Sequence, residues 1–274
     1  MFHLWMMLIG LLFAALLILF YKHYRAKDKV TLQREGLRYL QQLRLLLNLL
    51  QKHRSVVAHY VQNEPELDSE IKHIQQDIEL NIDDILQNNN KILANELWLS
   101  ISEHWAKLSQ NFPSHSADNN VLQHNSLIQN VLYLIDDIAL SHGLTRLKLS
   151  SIKNNRVLWC EWLVALECID QVKTMGTTVL LDGACNNTAR IRLTHLQQKI
   201  TETTDRAWRS GLPANEEQKA KVNQLLACIK IEIINASQNQ SINLRSKDYC
   251  QLCDSVRDKQ YEVFDQLLSQ ASVG

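Results

Sequence analysis

The stretch Leu40–Val61 reads LQQLRLLLNLLQKHRSVVAHYV and predicts a long amphipathic helix. Its apolar residues recur at steps of three and four, a spacing that puts them on one face of a helix. The stripe consists of Leu40, Leu43, Leu47, Leu50, Arg54, Val57 and Val61. Arg54 is therefore a permanent cation at a position where an apolar core residue is expected.

Arg54 needs a negatively charged partner or access to water, because burying an unpaired guanidinium costs several kcal/mol. No acidic residue lies within one turn of Arg54 on the predicted helix. The nearest one, Glu64, lies beyond the end of the helix. We therefore expect the anion to come from another helix or from a bound ligand.

The composition favours an all-α protein. The 274 residues include only 7 Gly and 3 Pro, which is low for an all-β or an α/β protein. The 29 basic residues balance the 29 acidic residues, so no overall field favours binding to nucleic acid. The 6 cysteines are irregularly spaced in a chain too long to need disulfides, and we expect them to be reduced.

The segment Leu4–Phe20 (LWMMLIGLLFAALLILF) predicts an N-terminal transmembrane helix, which Tyr21 extends with an interfacial aromatic ring. A cleavable signal peptide would need basic residues before the apolar run and small residues after it, and both are missing. The following cations are Lys22, Arg25, Lys27 and Lys29. By the positive-inside rule, we expect residues 4–21 to cross the inner membrane and the folded domain to be cytoplasmic.

Periodic apolar segments after the anchor predict about eight helices, separated in part by Pro65, Pro113 and Pro213. The approximate spans are 31–62, 66–87, 92–110, 120–141, 157–175, 188–209, 213–237 and 246–270. Short links between amphipathic helices favour an up-down bundle or two stacked four-helix bundles. We divide the chain into an anchor with its basic flank, 1–28, and a helical domain, 29–274.

Five helical segments follow one another in a specific order. They read LRLLLNLLQKHRSVVAHY, ISEHWAKLS, HNSLIQNVLYLIDDIALSHGL, LECIDQVKTMGTTVLLDG and SKDYCQLCDSVRDKQYEVFDQLL. Together these segments resemble the nitrate- and nitrite-sensing (NIT) domain of bacterial sensor proteins, over most of the chain from about residue 31 to residue 268.

The resemblance implies an all-helical double bundle that binds a small oxyanion, nitrate or nitrite, through arginines in its core. Arg54 matches the arginine that ends the leucine run of the family's first helix. Lys173 stands where the family has an arginine, just before the glycine that matches Gly176. The resemblance thus makes Arg54 and Lys173 the candidate oxyanion ligands and implies signalling through a partner protein. Sensor bundles often pair through membrane-proximal helices, so a homodimer is also expected.

Pairing inside the protein is the alternative fate of both cations. Arg54 could pair with Asp136, Asp137 or Glu167, or both cations could reach water at the edge of the bundle. The second functional hypothesis follows from this alternative: a membrane-tethered helical interaction protein that keeps the fold and binds no ligand.

Nothing in the sequence points to catalysis. Cys250-x-x-Cys253 is a lone pair within a predicted helix, without the second CxxC or histidine pair that a zinc site needs. No GxSxG, P-loop or GxGxxG motif occurs. We therefore expect no enzyme activity, no metal and no cofactor.

Overall fold

The computed structural model describes residues 2–61, 65–88, 90–147, 149, 152–235 and 244–271, which form helices and short turns without any strand. The α-helices are α1 (Phe2–Tyr60), α2 (Asp68–Asn88), α3 (Glu96–Asn111), α4 (Ala117–Ser141), α5 (Leu163–Asp182), α6 (Asn187–Arg209), α7 (Glu216–Cys228) and α8 (Ser246–Ala271). A π-helical turn, Leu158–Trp162, leads into α5, and another, Ile229–Asn235, extends α7. The all-α prediction is confirmed, and the predicted boundaries after residue 62 lie mostly within a few residues of the observed ones.

Polar side chains fix several helix starts. Asn95 accepts hydrogen bonds from the backbone N–H groups of Leu97 (2.9 Å) and Trp98 (3.2 Å) at the start of α3. Asn215 and Gln218 form a reciprocal capping box at the start of α7. Such caps supply acceptors for backbone N–H groups that have no partner inside the helix.

Glycines with positive φ mark three helix ends. Gly143 (φ 66°) follows α4, Gly183 (φ 65°) follows α5 and Gly211 (φ 95°) follows α6. Gly176, in contrast, lies inside α5. A Cβ atom there would lie 2.5 Å from the ring of Tyr249, whose hydroxyl donates to the carbonyl of Val172 (2.7 Å). Gly176 is thus required by the close approach of α8.

The helices form two groups of four. The C-terminal half of α1 packs against α2 and α4, and α3 packs on α4; in the second group, α5 packs against α6 and α8, and α7 packs on α8. The groups meet where α1 contacts α5 and α8. One continuous apolar core passes through both groups, and its largest buried side chains include Trp98 and Trp162.

Helix α1 runs without a break from the predicted anchor into the first bundle. Its 59 residues span about 90 Å at the usual rise of an α-helix. Burial begins near Gly36, whereas every described side chain from Phe13 to Lys29 is exposed. The expectation of a separate helix starting near Thr31 is therefore wrong, since the two segments are one helix.

Much of the predicted anchor, residues 4–12, 14 and 15 of the span 4–21, has side chains that lie outside the described part of the structure. Among the residues that are described, no helix has the length and hydropathy of a membrane-spanning segment. The membrane anchor therefore stays a prediction.

Candidate functional site

Arg54 is fully buried, with 0 % of its side chain exposed, and it faces α5. Its Nη1 donates to Oε1 of Glu167 (2.6 Å) and to the side-chain oxygen of Asn125. Its Nη2 donates to Oδ2 of Asp170 (2.7 Å) and to Oε2 of Glu167 (3.2 Å). Glu167 and Asp170 are three residues apart on α5, so both carboxylates face the same guanidinium.

Arg54 is thus paired inside the protein, which is the alternative to a bound anion that the sequence left open. Of the three acidic partners considered for Arg54, Glu167 is the observed one. Asp136 instead pairs with Arg156 (2.8 Å), and Asp137 accepts a hydrogen bond from the side chain of Asn95 (2.8 Å).

Lys173 is also paired. Its Nζ lies 2.7 Å and 2.9 Å from the two carboxylate oxygens of Asp254 on α8. Arg257 links this pair to Arg54, because it lies 3.0 Å from Asp254 and 2.9 Å from the second oxygen of Asp170. The two predicted ligands therefore stand at opposite ends of one alternating chain of charges, and carboxylates lie between them.

Arg54 and Arg257, the two arginines in this row of alternating charges, stay protonated. Burial alone would lower the pKa of Arg54, but the ion pairs with Glu167 and Asp170 outweigh burial and raise that pKa. The pKa of Arg257 is raised in the same way: the nearby carboxylates outweigh its burial. The two arginines balance Glu167 and Asp170, so the buried part of the chain has no spare positive charge for an anion.

A further layer of hydrogen bonds fixes Glu167. Gln51 on α1 donates to Oε2 of Glu167 (2.8 Å) and accepts from the hydroxyl of Tyr261 on α8 (2.8 Å). Gln171 donates to Oε1 of Glu167 (2.7 Å). Among the described residues, Nε of Arg54 is the only nitrogen of that guanidinium without a partner. We call the set Gln51, Arg54, Asn125, Glu167, Asp170, Gln171, Arg257 and Tyr261 the arginine network.

Only part of the arginine network can be recognised in the sequence. Arg54 was found because it interrupts an apolar stripe. Glu167 and Asp170 lie in LECIDQV, where almost every residue of α5 is buried, and two acids three apart in such a segment call for a cation. Arg257 lies beside the apolar stripe of α8, and no periodicity separates it from surface arginines.

Two buried histidines, His53 on α1 and His124 on α4, form a pair beside Arg54. Nδ1 of His53 is 2.7 Å from Nε2 of His124, and Nδ1 of His124 is 2.7 Å from the carbonyl oxygen of Asn120. The carbonyl can only accept, so His124 carries its proton on Nδ1 and accepts from His53. Gln75 then donates to Nε2 of His53 (3.3 Å). All the hydrogen bonds in this row can form together only when both imidazole rings are neutral.

A cleft of about 1060 Å³ opens beside the arginine network. One side of α4, from Ser116 to Asn125, and one side of α6, from Asn186 to Leu196, form its walls. The last three turns of α5, from Gln171 to Asp182, form its floor. Arg54 and Asn125 reach its inner end, so the cleft and the network share residues.

No family model matches this chain, and no curated protein or solved structure is significantly similar to it. The resemblance to the NIT domain therefore stays a prediction.

Replacing Arg54 by alanine should destabilise the fold by about 3–5 kcal/mol, because two buried carboxylates lose their cation. The free energy of unfolding in urea measures this effect. Arg156→Ala is the matched control: it removes a pair of similar length whose arginine is 52 % exposed, and we expect a loss below about 1 kcal/mol. Equal losses in the two variants would contradict a structural role for the arginine network.

Acid should destabilise the protein through the histidine pair. Burial lowers the pKa of His53 from 6.5 to about 4, and burial, with His53 nearby, lowers that of His124 well below its usual value. The unfolded chain binds these protons near pH 6.5 and the folded chain does not, so their stabilisation is complete above about pH 6.5 and is lost toward pH 4.

The slope should be about 1.4 kcal/mol per pH unit for each histidine in that window. Urea unfolding at pH 7.5, 6.0 and 5.0 measures it. His53→Gln should reduce the slope by about one proton, whereas His73→Gln, which changes an exposed histidine, should leave it unaltered. A wild-type stability that stays flat over this range would refute the neutral pair.

Proposed function

We propose that this protein is a membrane-tethered helical interaction protein with a NIT-like double bundle. In this proposal Arg54 and Lys173 form ion pairs inside the protein and bind no oxyanion. The observation that carries this proposal is the pairing of Arg54 with Glu167 and Asp170 at 2.6 Å and 2.7 Å. An anion placed at Arg54 would have to displace carboxylates that are covalently part of the protein and already desolvated. Such a replacement yields little binding free energy, because nitrate or nitrite would itself have to be desolvated.

Lys173 supports the same choice. Its ammonium contacts both oxygens of Asp254, and Arg257 lies between it and Arg54. An anion bridging Lys173 and Arg54 would need Asp170 and Asp254 to leave. Oxyanion sensing with output through a partner protein is therefore the less supported of the two hypotheses.

Exposed apolar residues on the projecting half of α1 support the membrane tether. Phe13 and the run Leu16–Phe20 are each more than half exposed. A soluble protein rarely presents so many large apolar side chains in one stretch, because exposing apolar surface to water is energetically unfavourable. A lipid bilayer would cover these residues, with the following cations at its cytoplasmic surface and the bundle in the cytoplasm.

Nitrate and nitrite should give no saturable heat in calorimetry with the full chain in detergent. The expected result follows from the charge balance of the arginine network. Sodium chloride at equal ionic strength is the control for dilution and salt effects. A saturable heat near one anion per chain, absent in Arg54→Met at a temperature where that variant is folded, would reinstate the oxyanion sensor.

The full chain should remain in the membrane pellet of expressing bacterial cells after an alkaline carbonate wash. The double variant Phe13→Asp/Leu17→Asp should move to the soluble or aggregated fraction, because a buried aspartate costs about 2.5–3.5 kcal/mol near the bilayer centre. Leu80→Asp/Leu99→Asp, at exposed leucines of α2 and α3, is the matched control and should stay in the pellet. Release of the wild-type chain by the wash would exclude the tether.

A further inference from the structure

The inner end of the cleft between α4, α5 and α6 presents two amide side chains, Asn125 and Gln171. Both are half-buried and both belong to the arginine network. They are joined through a short path: Asn125 accepts from Nη1 of Arg54, Nη1 donates to Oε1 of Glu167, and Gln171 donates to the same oxygen. The two amides therefore lie close together.

The chemistry of their buried partners fixes the orientation of both amides. A guanidinium has only donors, so the atom of Asn125 that faces Arg54 must be its oxygen. An ionised carboxylate has only acceptors, so the atom of Gln171 that faces Glu167 must be its nitrogen. Neither amide can flip without placing two donors or two acceptors against each other in a buried position.

This arrangement presents the NH₂ group of Asn125 and the carbonyl oxygen of Gln171 to the cleft, and the second N–H of Gln171 is left as a further donor. The NH₂ group of Asn125 and the carbonyl oxygen of Gln171 have no hydrogen-bond partner among the residues that the structure describes. Neither atom is fully buried, so both can bind a ligand in the cleft. Apolar side chains line the cleft next to them: Val121, Leu122, Met175 and Val179.

We propose that this cleft binds an uncharged small molecule that carries a primary carboxamide on an apolar body. The carbonyl oxygen of the ligand accepts from Asn125, and its NH₂ group donates to Gln171. The apolar body lies against Leu122, Met175 and Val179. A cleft of about 1060 Å³ is large enough for a drug-sized ligand.

The same two groups select against a carboxylate. An anion would accept from Asn125 but would face the carbonyl oxygen of Gln171 with a second negative oxygen. The arginine network offers no compensating charge, since Glu167 and Asp170 neutralise its arginines. Elsewhere in the lining of the cleft, Arg192 is outnumbered by two carboxylates, Asp118 and Asp182. The site therefore differs from an oxyanion site, and its occupancy does not depend on the proposed interaction function.

Benzamide is the probe, and benzoate is its charged counterpart of nearly the same shape. Titrations of the full chain in detergent, followed by saturation-transfer NMR of the ligand, measure the two dissociation constants. For a ligand of this size we expect a Kd on the order of 1 mM for benzamide. Benzoate should bind at least tenfold more weakly.

Asn125→Asp keeps an acceptor for Arg54 and removes the donor, so it should weaken benzamide binding about tenfold. Asn130→Asp is the matched control, because it makes the same change on α4 outside the cleft, and it should leave the Kd unchanged. Gln171→Leu removes the acceptor and gives an independent second variant if Asn125→Asp does not fold. Equal affinity for benzamide and benzoate, no benzamide binding up to 20-fold above the expected Kd, or equal effects of the two aspartate variants would overturn the proposal.

Discussion

A guanidinium enclosed by helices requires negative charge at a defined place, and this requirement governs how the two bundles of this protein meet. Arg54 on α1 belongs to the first bundle, whereas Glu167 and Asp170 belong to the second. Apolar packing alone tolerates small sliding of one helix group on another, because contacts between aliphatic side chains are not directional. The three hydrogen bonds that run from the planar, rigid guanidinium of Arg54 to Glu167 and Asp170 leave much less freedom. We infer that the arginine network contributes more to the relative position of the bundles than to net stability, because the desolvation of its charges offsets much of their attraction.

The network also explains why polar residues lie so deep on three helices. Burying the polar atoms of Gln51 and Tyr261 without partners would be unfavourable, but Tyr261 donates a hydrogen bond to Gln51, and Gln51 donates one to Glu167. Burial raises the pKa of Tyr261, so its hydroxyl stays a donor throughout the physiological range. The buried charges therefore require buried polar partners, and the same charges, on Arg54 and Glu167, fix the side chains of Asn125 and Gln171 at the cleft.

The helical fold was predictable because its signals are local. Periodic apolar residues, capping side chains such as Asn215, and glycine at the end of α4 each act within a few residues of the chain. Gly176 shows the limit of this approach, since the ring of Tyr249, 73 residues further on, is the reason for that glycine. Arg54 was recognisable in the sequence as a charge in an apolar stripe, but its partners depend on which face of α5 meets α1. Periodicity assigns a residue to one face of a helix and does not say which other face lies opposite. The pairing of Asp170 with Arg54, the role of Arg257 and the cleft could therefore not be derived from the sequence.

Helix α1 connects its exposed apolar N-terminal residues with the arginine network. The exposed apolar residues near Phe13 and the buried Arg54 are 41 positions apart on one uninterrupted helix, a distance of about 60 Å. A helix resists changes in length because every turn is closed by backbone hydrogen bonds. A shift or rotation of the N-terminal half must therefore either bend α1 or move Arg54 against the two carboxylates of α5. Those carboxylates are held by Gln51, Gln171 and Arg257. Such a movement therefore disturbs the hydrogen bonds that orient the cleft amides, so that the N-terminal half of α1 and the cleft are mechanically linked through Arg54.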